Sequence, residues 1–292
     1  MRIAVLDIGG TAIKAGIWQD DKLLENTELP YDASLGAQHM TQLALQQIKS
    51  YLPFEAVGIS TAGLVDSQNG IIKCAGNIPG YPFTNWKNLV HEAFGVPCFV
   101  ENDVNAVALA EGYYGAAKDM DNYLCVAYGT GIGGAAVLNG RIYTGNAFAS
   151  GEFGWIVTHG EQRKPDDLAS GIYERYASTS ALVRMAKEYN PVLNNGRVIF
   201  AEMKNPEVQK IIDAWIGEII VGLTGLIHIF DPSGIVLGGG IMREPYVYEQ
   251  LKARLPHYVI EAYKDVKLVQ AQLGNTAGMY GAARAVVIGL QG

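Results

Sequence analysis

The chain has 292 residues, 49% of them hydrophobic, and carries 22 Lys+Arg against 29 Asp+Glu for a formal net charge of −7. This composition excludes a disordered or fibrous chain, and an acidic balance without a basic run disfavours a partner such as nucleic acid or a membrane surface. Cys74, Cys98 and Cys125 stand singly, which suits a reducing cytosol and supplies neither a disulfide framework nor a zinc spacing.

The chain opens with Ile3-Ala4-Val5-Leu6-Asp7, then Gly9-Gly10-Thr11, then Ile13 to Trp18, which predicts strand, glycine turn, strand. Asp7 comes too early for a signal peptide. Helical spacing of Met40, Leu43, Ala44, Ile48 and Tyr51 predicts a helix over 37–52, stopped by Pro53. Val57-Gly58-Ile59 reads as a short buried strand, and 77–82 as a loop. Residues 97–100 read as a strand running into Glu101-Asn102-Asp103, and 104–111 as an alanine-rich helix.

A partial echo of the start follows. Tyr123 to Ala127 reads as a strand, 129–134 as a glycine turn and 135–138 as a return strand, with Asn139-Gly140 signalling a type I′ hairpin. A strand–glycine–strand unit occurring twice suggests two similar lobes, since a solenoid needs at least three units. Pro206 suits the first turn of a long helix whose apolar stripe runs from Val208 to Phe230, stopped by Asp231-Pro232. Its most apolar part, Ile211 to Phe230, contains Asp213, Glu218 and His228, so no segment reads as membrane-spanning. Residues 234–237 read as a strand ending in Gly238-Gly239-Gly240, followed by helices near 246–255 and 276–288. Alternating strands and helices place the chain in the α/β class.

The 35 glycines are about 12% of the chain against a usual share near 7%, without any Gly-x-y period. Three clusters sit at predicted strand ends: Gly9-Gly10, Gly129 to Gly134, and Gly238 to Gly240. Glycine lets backbone N–H groups approach a phosphate, although each cluster alone also reads as a hairpin turn. No GxxxxGK[ST] is present, and the segment after Gly134 is β-prone, against a dinucleotide fingerprint. Asp7 is either a turn residue or a holder of Mg²⁺, directly or through water. Lys14 is either a surface lysine or a phosphate contact. Asp103 is either the cap of the following helix or a general base. Asn102 offers a donor and an acceptor to a polyol, and Glu152 with an aromatic at Trp155 suits a sugar.

These stretches together resemble the ROK family of sugar kinases and repressors. The resemblance rests on 7–14, 58–66, 77–80, 101–105, 129–134, 151–154 and 237–241, in family order over nearly the whole chain. It implies a two-lobed actin-like ATPase (ribonuclease H-like) α/β fold with an interlobe cleft. Residues 1–118 would form the small lobe and 119–275 the large one, with the helix of 276–292 returning to the first. It implies an ATP- and Mg²⁺-dependent kinase acting on the 6-hydroxyl of a hexose or derivative, in the glucose, β-glucoside or N-acetylmannosamine class. Asp7, Gly9, Gly10, Thr11 and Lys14 match the first phosphate turn. Gly129, Thr130, Gly131, Gly133 and Gly134 match the second, and Gly238, Gly239 and Gly240 the adenosine side. Asp103 matches the catalytic base; Gly63, Asn77, Asn102, Glu152 and Trp155 fall around the sugar.

Two departures carry information. Trp155 stands where many members have a histidine, and no cysteine follows Cys125, so the family's zinc site is expected to be missing. The family's glutamate before Ser-Gly falls at Asp166, ahead of Ser170-Gly171. The zinc-free pattern looks most like the β-glucoside kinases. The alternatives are a sugar-responsive regulator, for which no helix-turn-helix precedes Asp7, or a non-catalytic sugar binder. A cytoplasmic homodimer, with no nucleic-acid or membrane partner, is expected.

Overall fold

The computed structural model describes residues 1–76 and 78–291; Asn77, one of the candidate sugar contacts, lies outside the described residues. The chain divides into two compact units. The first is Met1–Lys118 with Ile142–Ser150 and the C-terminal segment from Gln272; the second is Asp119–Arg141 with Gly151–Ala271. The unit boundaries thus differ from the expected division at 142–150 and in a C-terminal return that starts earlier, at Gln272.

The first unit contains β1 (Arg2–Ile8), β2 (Ala12–Gln19), β3 (Lys22–Pro30), α1 (Gly36–Lys49), β4 (Ala56–Thr61), β5 (Leu64–Asp66), β6 (Ile71–Cys74), α2 (Trp86–Phe94), β7 (Cys98–Asn102) and α3 (Asp103–Tyr114). The second contains β8 (Tyr123–Tyr128), β9 (Ile132–Leu138), β10 (Arg141–Ile142), α4 (Glu174–Ala177), α5 (Thr179–Tyr189), α6 (Gly196–Ala201), α7 (Pro206–Phe230), β11 (Gly234–Gly238), α8 (Pro245–Arg254) and β12 (Lys267–Gln270). The chain ends in α9 (Ala277–Gln291), which packs on α3, β1, β4 and β7 of the first unit.

The sequence echo is a topological one. The sheets run β3-β2-β1-β4-β7 and β10-β9-β8-β11-β12, the same order of strands in each unit. In each, the opening hairpin (β1/β2, β8/β9) is antiparallel. Two parallel neighbours follow (β4 and β7, β11 and β12). Asn139 and Gly140 have φ of 54° and 70°, the pair of positive values that a type I′ turn demands.

Strand alternation explains the layering. Ala4, Leu6 and Ile8 of β1 pack on one side with Met40, Ala44 and Ile48 of α1, whereas Ile3 and Val5 pack on the other with Met279, Ala282 and Val286 of α9. Both faces of the central strand are buried, so every residue from Ile3 to Leu6 is apolar. Each fully buried large side chain contributes about 1.5–3 kcal/mol relative to exposure.

In the second unit α7 supplies the core stripe: Val208, Ile212, Trp215, Ile219, Leu223 and Leu226 are buried at helical spacing. Asn205 caps it by accepting from the Glu207 amide at 3.0 Å, and Pro206 occupies its first turn. Asp231, at φ 45°, ends it in the left-handed region. By length and composition alone α7 is long and apolar enough to cross a membrane, and half of its most apolar window is buried. The β5–β6 hairpin, α2, α5 and β12 have weak sequence signals and emerge only from the structure.

Candidate functional site

The first unit assembles one set of candidates at the ends of β1, β4 and β7. Asp7 and Ser60 lie opposite one another in the parallel β1/β4 register, and the Ser60 hydroxyl donates to Asp7 Oδ1 at 2.9 Å. Lys14, opposite Asp7 across the β1/β2 hairpin, donates from Nζ to Asp7 Oδ2 at 3.3 Å. The structure therefore gives Lys14 a partner: it is neither a free surface lysine nor remote from the acidic group. The Gly9-Gly10-Thr11 turn is closed by Gly9 N–H donating to Ala12 O at 3.0 Å. Tyr31 braces it, donating its hydroxyl to Gly9 O at 2.7 Å.

At the end of β7, Asn102 caps α3. Its side-chain oxygen accepts from the Val104 and Asn105 amides at 2.9 and 3.1 Å. Its Nδ2 donates to Gly63 O and to Asp103 Oδ1, both at 2.9 Å. Gly63 has φ 107°, and a Cβ there would meet Cys74 O, so this backbone position requires glycine. Asp103 occupies the first helical turn. Burial, with the Asp7 charge as a further contribution, pushes its carboxyl up to about 6, against a hydrogen bond from the Val104 amide that lowers it. Glu101 is buried too; desolvation raises its carboxyl, while Asn105 Nδ2 and the Asn102 amide donate to it at 2.9 Å.

The second unit carries the other candidates. The β8–β9 turn closes through Gly129 N–H to Gly131 O at 2.9 Å, and the Thr179 amide donates to Gly129 O at 2.9 Å. Tyr128, Gly129, Thr130, Thr179, Asn195 and Gly240 line a cavity of about 500 Å³, which joins the second and third glycine clusters. Arg197 and Arg243 line an adjoining space with Gly240 and Thr179. Sequence reasoning missed Thr179 and Asn195 because they lie 49 or more residues beyond Thr130, in elements with no motif of their own.

The glycines separate into two kinds. Gly10, Gly129 and Gly240 have no protein atom within 4 Å of where a Cβ would stand, and none has positive φ. Nothing in the protein itself requires glycine at these three. Gly133 and Gly134 instead lie inside β9, paired with Ala127 and Val126. A Cβ on Gly134 would overlap the Phe153 ring, so that glycine serves the packing of the segment bearing Glu152. Gly238 is within β11. Gly239, at φ 98°, abuts Tyr128 O.

The carboxylate brought beside Glu152 is Glu174, not Asp166. Glu174 Oε2 accepts from the Ile132 amide at 3.2 Å, and Cβ atoms on Gly131 or Gly154 would come within 2.5 and 2.9 Å of it. Desolvation and the Glu174 charge hold the Glu152 carboxyl above its usual range. Asp166 is exposed in the turn that precedes Ser170. Glu174 follows Ser170-Gly171 instead of preceding it, which hides the assignment in the sequence, since the fold alone brings Glu174 back to Gly131. Trp155 is 49% exposed, with its amide donating to Glu152 O at 3.0 Å. Among the described residues no group of three or more His, Cys, Asp or Glu side chains is placed to hold a metal ion. The segment from 158 to 171 is held by Arg163, which donates to Leu168 O and Ser170 O at 2.6 and 2.7 Å.

Residues 3–287 match the ROK family. A β-glucoside kinase from Klebsiella pneumoniae is 32% identical over 290 residues, which cover 97% of this chain and 95% of that protein. Of solved structures, a Listeria monocytogenes protein proposed to be an N-acetylmannosamine kinase is similar with a TM-score of 0.91 at 27% identity, over 99% of this chain and 100% of its own. A ROK family glucokinase from Streptomyces griseus, solved with glucose and AMPPNP, is similar with a TM-score of 0.81 at 28% identity, over 100% of both chains.

Proposed function

The chain belongs to the ROK family, with its two-lobed actin-like fold, and we propose that it is a carbohydrate kinase that transfers the γ-phosphate of ATP to the 6-hydroxyl of a hexose or hexose derivative. The observation that carries this reading is Asp103: a carboxylate on the first turn of α3, positioned by Asn102 and tuned to about 6. A base poised just below neutral pH is ionised at work yet still takes a proton readily.

Asp103 accepts the proton of the attacking hydroxyl as its oxygen bonds to the γ-phosphorus and the bond to the β-phosphate oxygen breaks. Glu152 and Glu174 orient the sugar by hydrogen bonds to its hydroxyls, and Trp155 offers its ring to the C–H face; Asn102, whose amide is spent on Gly63, Asp103 and the α3 amides, positions Asp103 instead. The backbone at Gly10, Gly129 and Gly240, where no side chain stands in the way, approaches the nucleotide, and Lys14 balances charge beside Asp7.

The residues present fit a magnesium ion: burial, with the Asp7 charge adding to it, raises the Asp103 carboxyl, and a hard cation prefers such oxygen donors. Asp7 would hold it, through water, and the ion would supply charge neutralisation on the phosphates.

β-Glucosides are the preferred acceptor class. The support is the 32% identity to the Klebsiella enzyme and the half-exposed Trp155, a broad apolar face three residues from Glu152 and bonded to it through the backbone. An ADP-release assay with Mg-ATP against hexoses, amino sugars and β-glucosides tests the reading; the expected result is turnover with at least one of them. A chain that turns over none is not a kinase of this class.

A further inference from the structure

Glu111, in α3, is fully buried and has no part in the chemistry proposed above. Its carboxylate is met by three backbone amides: Oε2 accepts from Ala116 at 2.9 Å, and Oε1 from Gln272 at 2.8 Å and Leu273 at 2.9 Å. A buried acid in place of an apolar residue is costly unless such charge-assisted bonds compensate it. Here two of those bonds tie a segment more than 160 residues away to the helix that begins at Asp103.

That segment leads directly into α9, whose first two turns touch both acidic elements. A Cβ on Gly278 would overlap the Asp7 carboxyl carbon and lie 2.8 Å from Oδ2. One turn on, a Cβ on Gly281 would overlap the carbonyl of Ala106, which lies three residues past Asp103 in α3. The start of α9 is therefore wedged against the strand end that holds Asp7 and the helix that holds Asp103, and Glu111 fixes where α9 starts.

We propose that Glu111 and Gly278 are positioning residues that set the separation of the Asp7 and Asp103 carboxylates. The inference rests on the kinase reading of those two carboxylates. A displacement of about 1 Å at reacting groups can cost about 100-fold in rate, so the spacing is expected to act on turnover rather than on sugar affinity.

Three variants test it. Glu111→Gln keeps the volume but turns one acceptor oxygen into a donor facing an amide. Gly278→Ala pushes on Asp7 directly. Gly289→Ala is the control: it crowds the Phe99 ring from the far end of α9, away from both carboxylates. The expected result is a fall of about 10–100-fold in kcat for Glu111→Gln and Gly278→Ala with sugar KM unchanged. Calorimetric binding of AMPPNP with Mg²⁺ weakens in both. Gly289→Ala lowers Tm and keeps the wild-type kcat.

Wild-type kcat and AMPPNP affinity in folded Glu111→Gln would overturn the proposal, as would an equal kcat loss in Gly289→Ala. Should Gly278→Ala not fold, the near-isosteric Glu111→Gln decides. Absence of turnover in the wild-type chain would instead remove the kinase reading itself, before any variant is compared.

Discussion

The Asn102 side chain both caps α3 and donates Nδ2–H to Asp103 Oδ1 at 2.9 Å. The helix thus receives its cap from the residue before Asp103. The cap, one of the two roles the sequence offers for Asp103, falls to its neighbour and leaves Asp103 available for the base role proposed above. Asp103 keeps helical geometry, a fixed rotamer and the lone pairs of Oδ2.

Replacing Asp103 by Asn is expected to lower kcat by about 100- to 10,000-fold, the span of general-base contributions, while sugar affinity by calorimetry stays near wild type. Near-normal turnover in that variant would show that another group takes the proton.

The same residue predicts a pH dependence of activity. With the carboxyl at about 6, kcat/KM falls roughly tenfold per pH unit below that value and is flat from pH 7 upward until another group titrates. A rate profile from pH 4.5 to 8 checks it; an acid limb centred near 4 would mean that a group other than a raised Asp103 carboxyl sets the profile.

Stability moves in the opposite sense. The folded state raises the Asp103 carboxyl above its unfolded value, so between about 4 and 6 the native chain binds more protons than the unfolded one. Stability contributed by this group is then lost as pH rises through that window. Asp103→Asn removes the buried charge and should raise Tm at pH 7.5, for a gain in stability on the order of 1–3 kcal/mol, while leaving Tm at pH 4 unchanged. Equal Tm shifts at both pH values would contradict this.

Gly129→Ala and Gly239→Ala should part company. The first adds a methyl into open space, so Tm is kept and the KM for ATP rises tenfold or more. The second forces a Cβ onto Tyr128 O at φ 98° and lowers Tm by several degrees. An unchanged KM for ATP in Gly129→Ala would remove that turn from the nucleotide site.

Zinc is expected to be dispensable. Arg163 and Ser170 hold the segment from 158 to 171 through hydrogen bonds, including Ser170 Oγ accepting from the Lys164 amide at 2.7 Å. Elemental analysis should find well under one equivalent of zinc, and a chelator should leave Tm unmoved in the absence of nucleotide. A chelator-induced fall in Tm would reveal a metal in this segment.

Local pattern carries what depends on neighbouring residues. The apolar run of β1, the Asn139-Gly140 turn, the cap and stripe of α7 and the three glycine-marked strand ends are all written within a few positions of one another, so the sequence determines them alone. The family match and the Asp103 neighbourhood belong to the same kind of information.

The tertiary structure decided what depends on residues far apart. It brought Glu174 rather than Asp166 to Glu152, assigned Gly134 to packing against Phe153, and joined Thr179 and Asn195 to the Gly129 turn. It also tied Glu111 to Gln272 across the chain. A side chain's partner is set by sheet order and helix approach. Those are fixed by the packing of whole elements, to which each single position contributes too little to be read by itself.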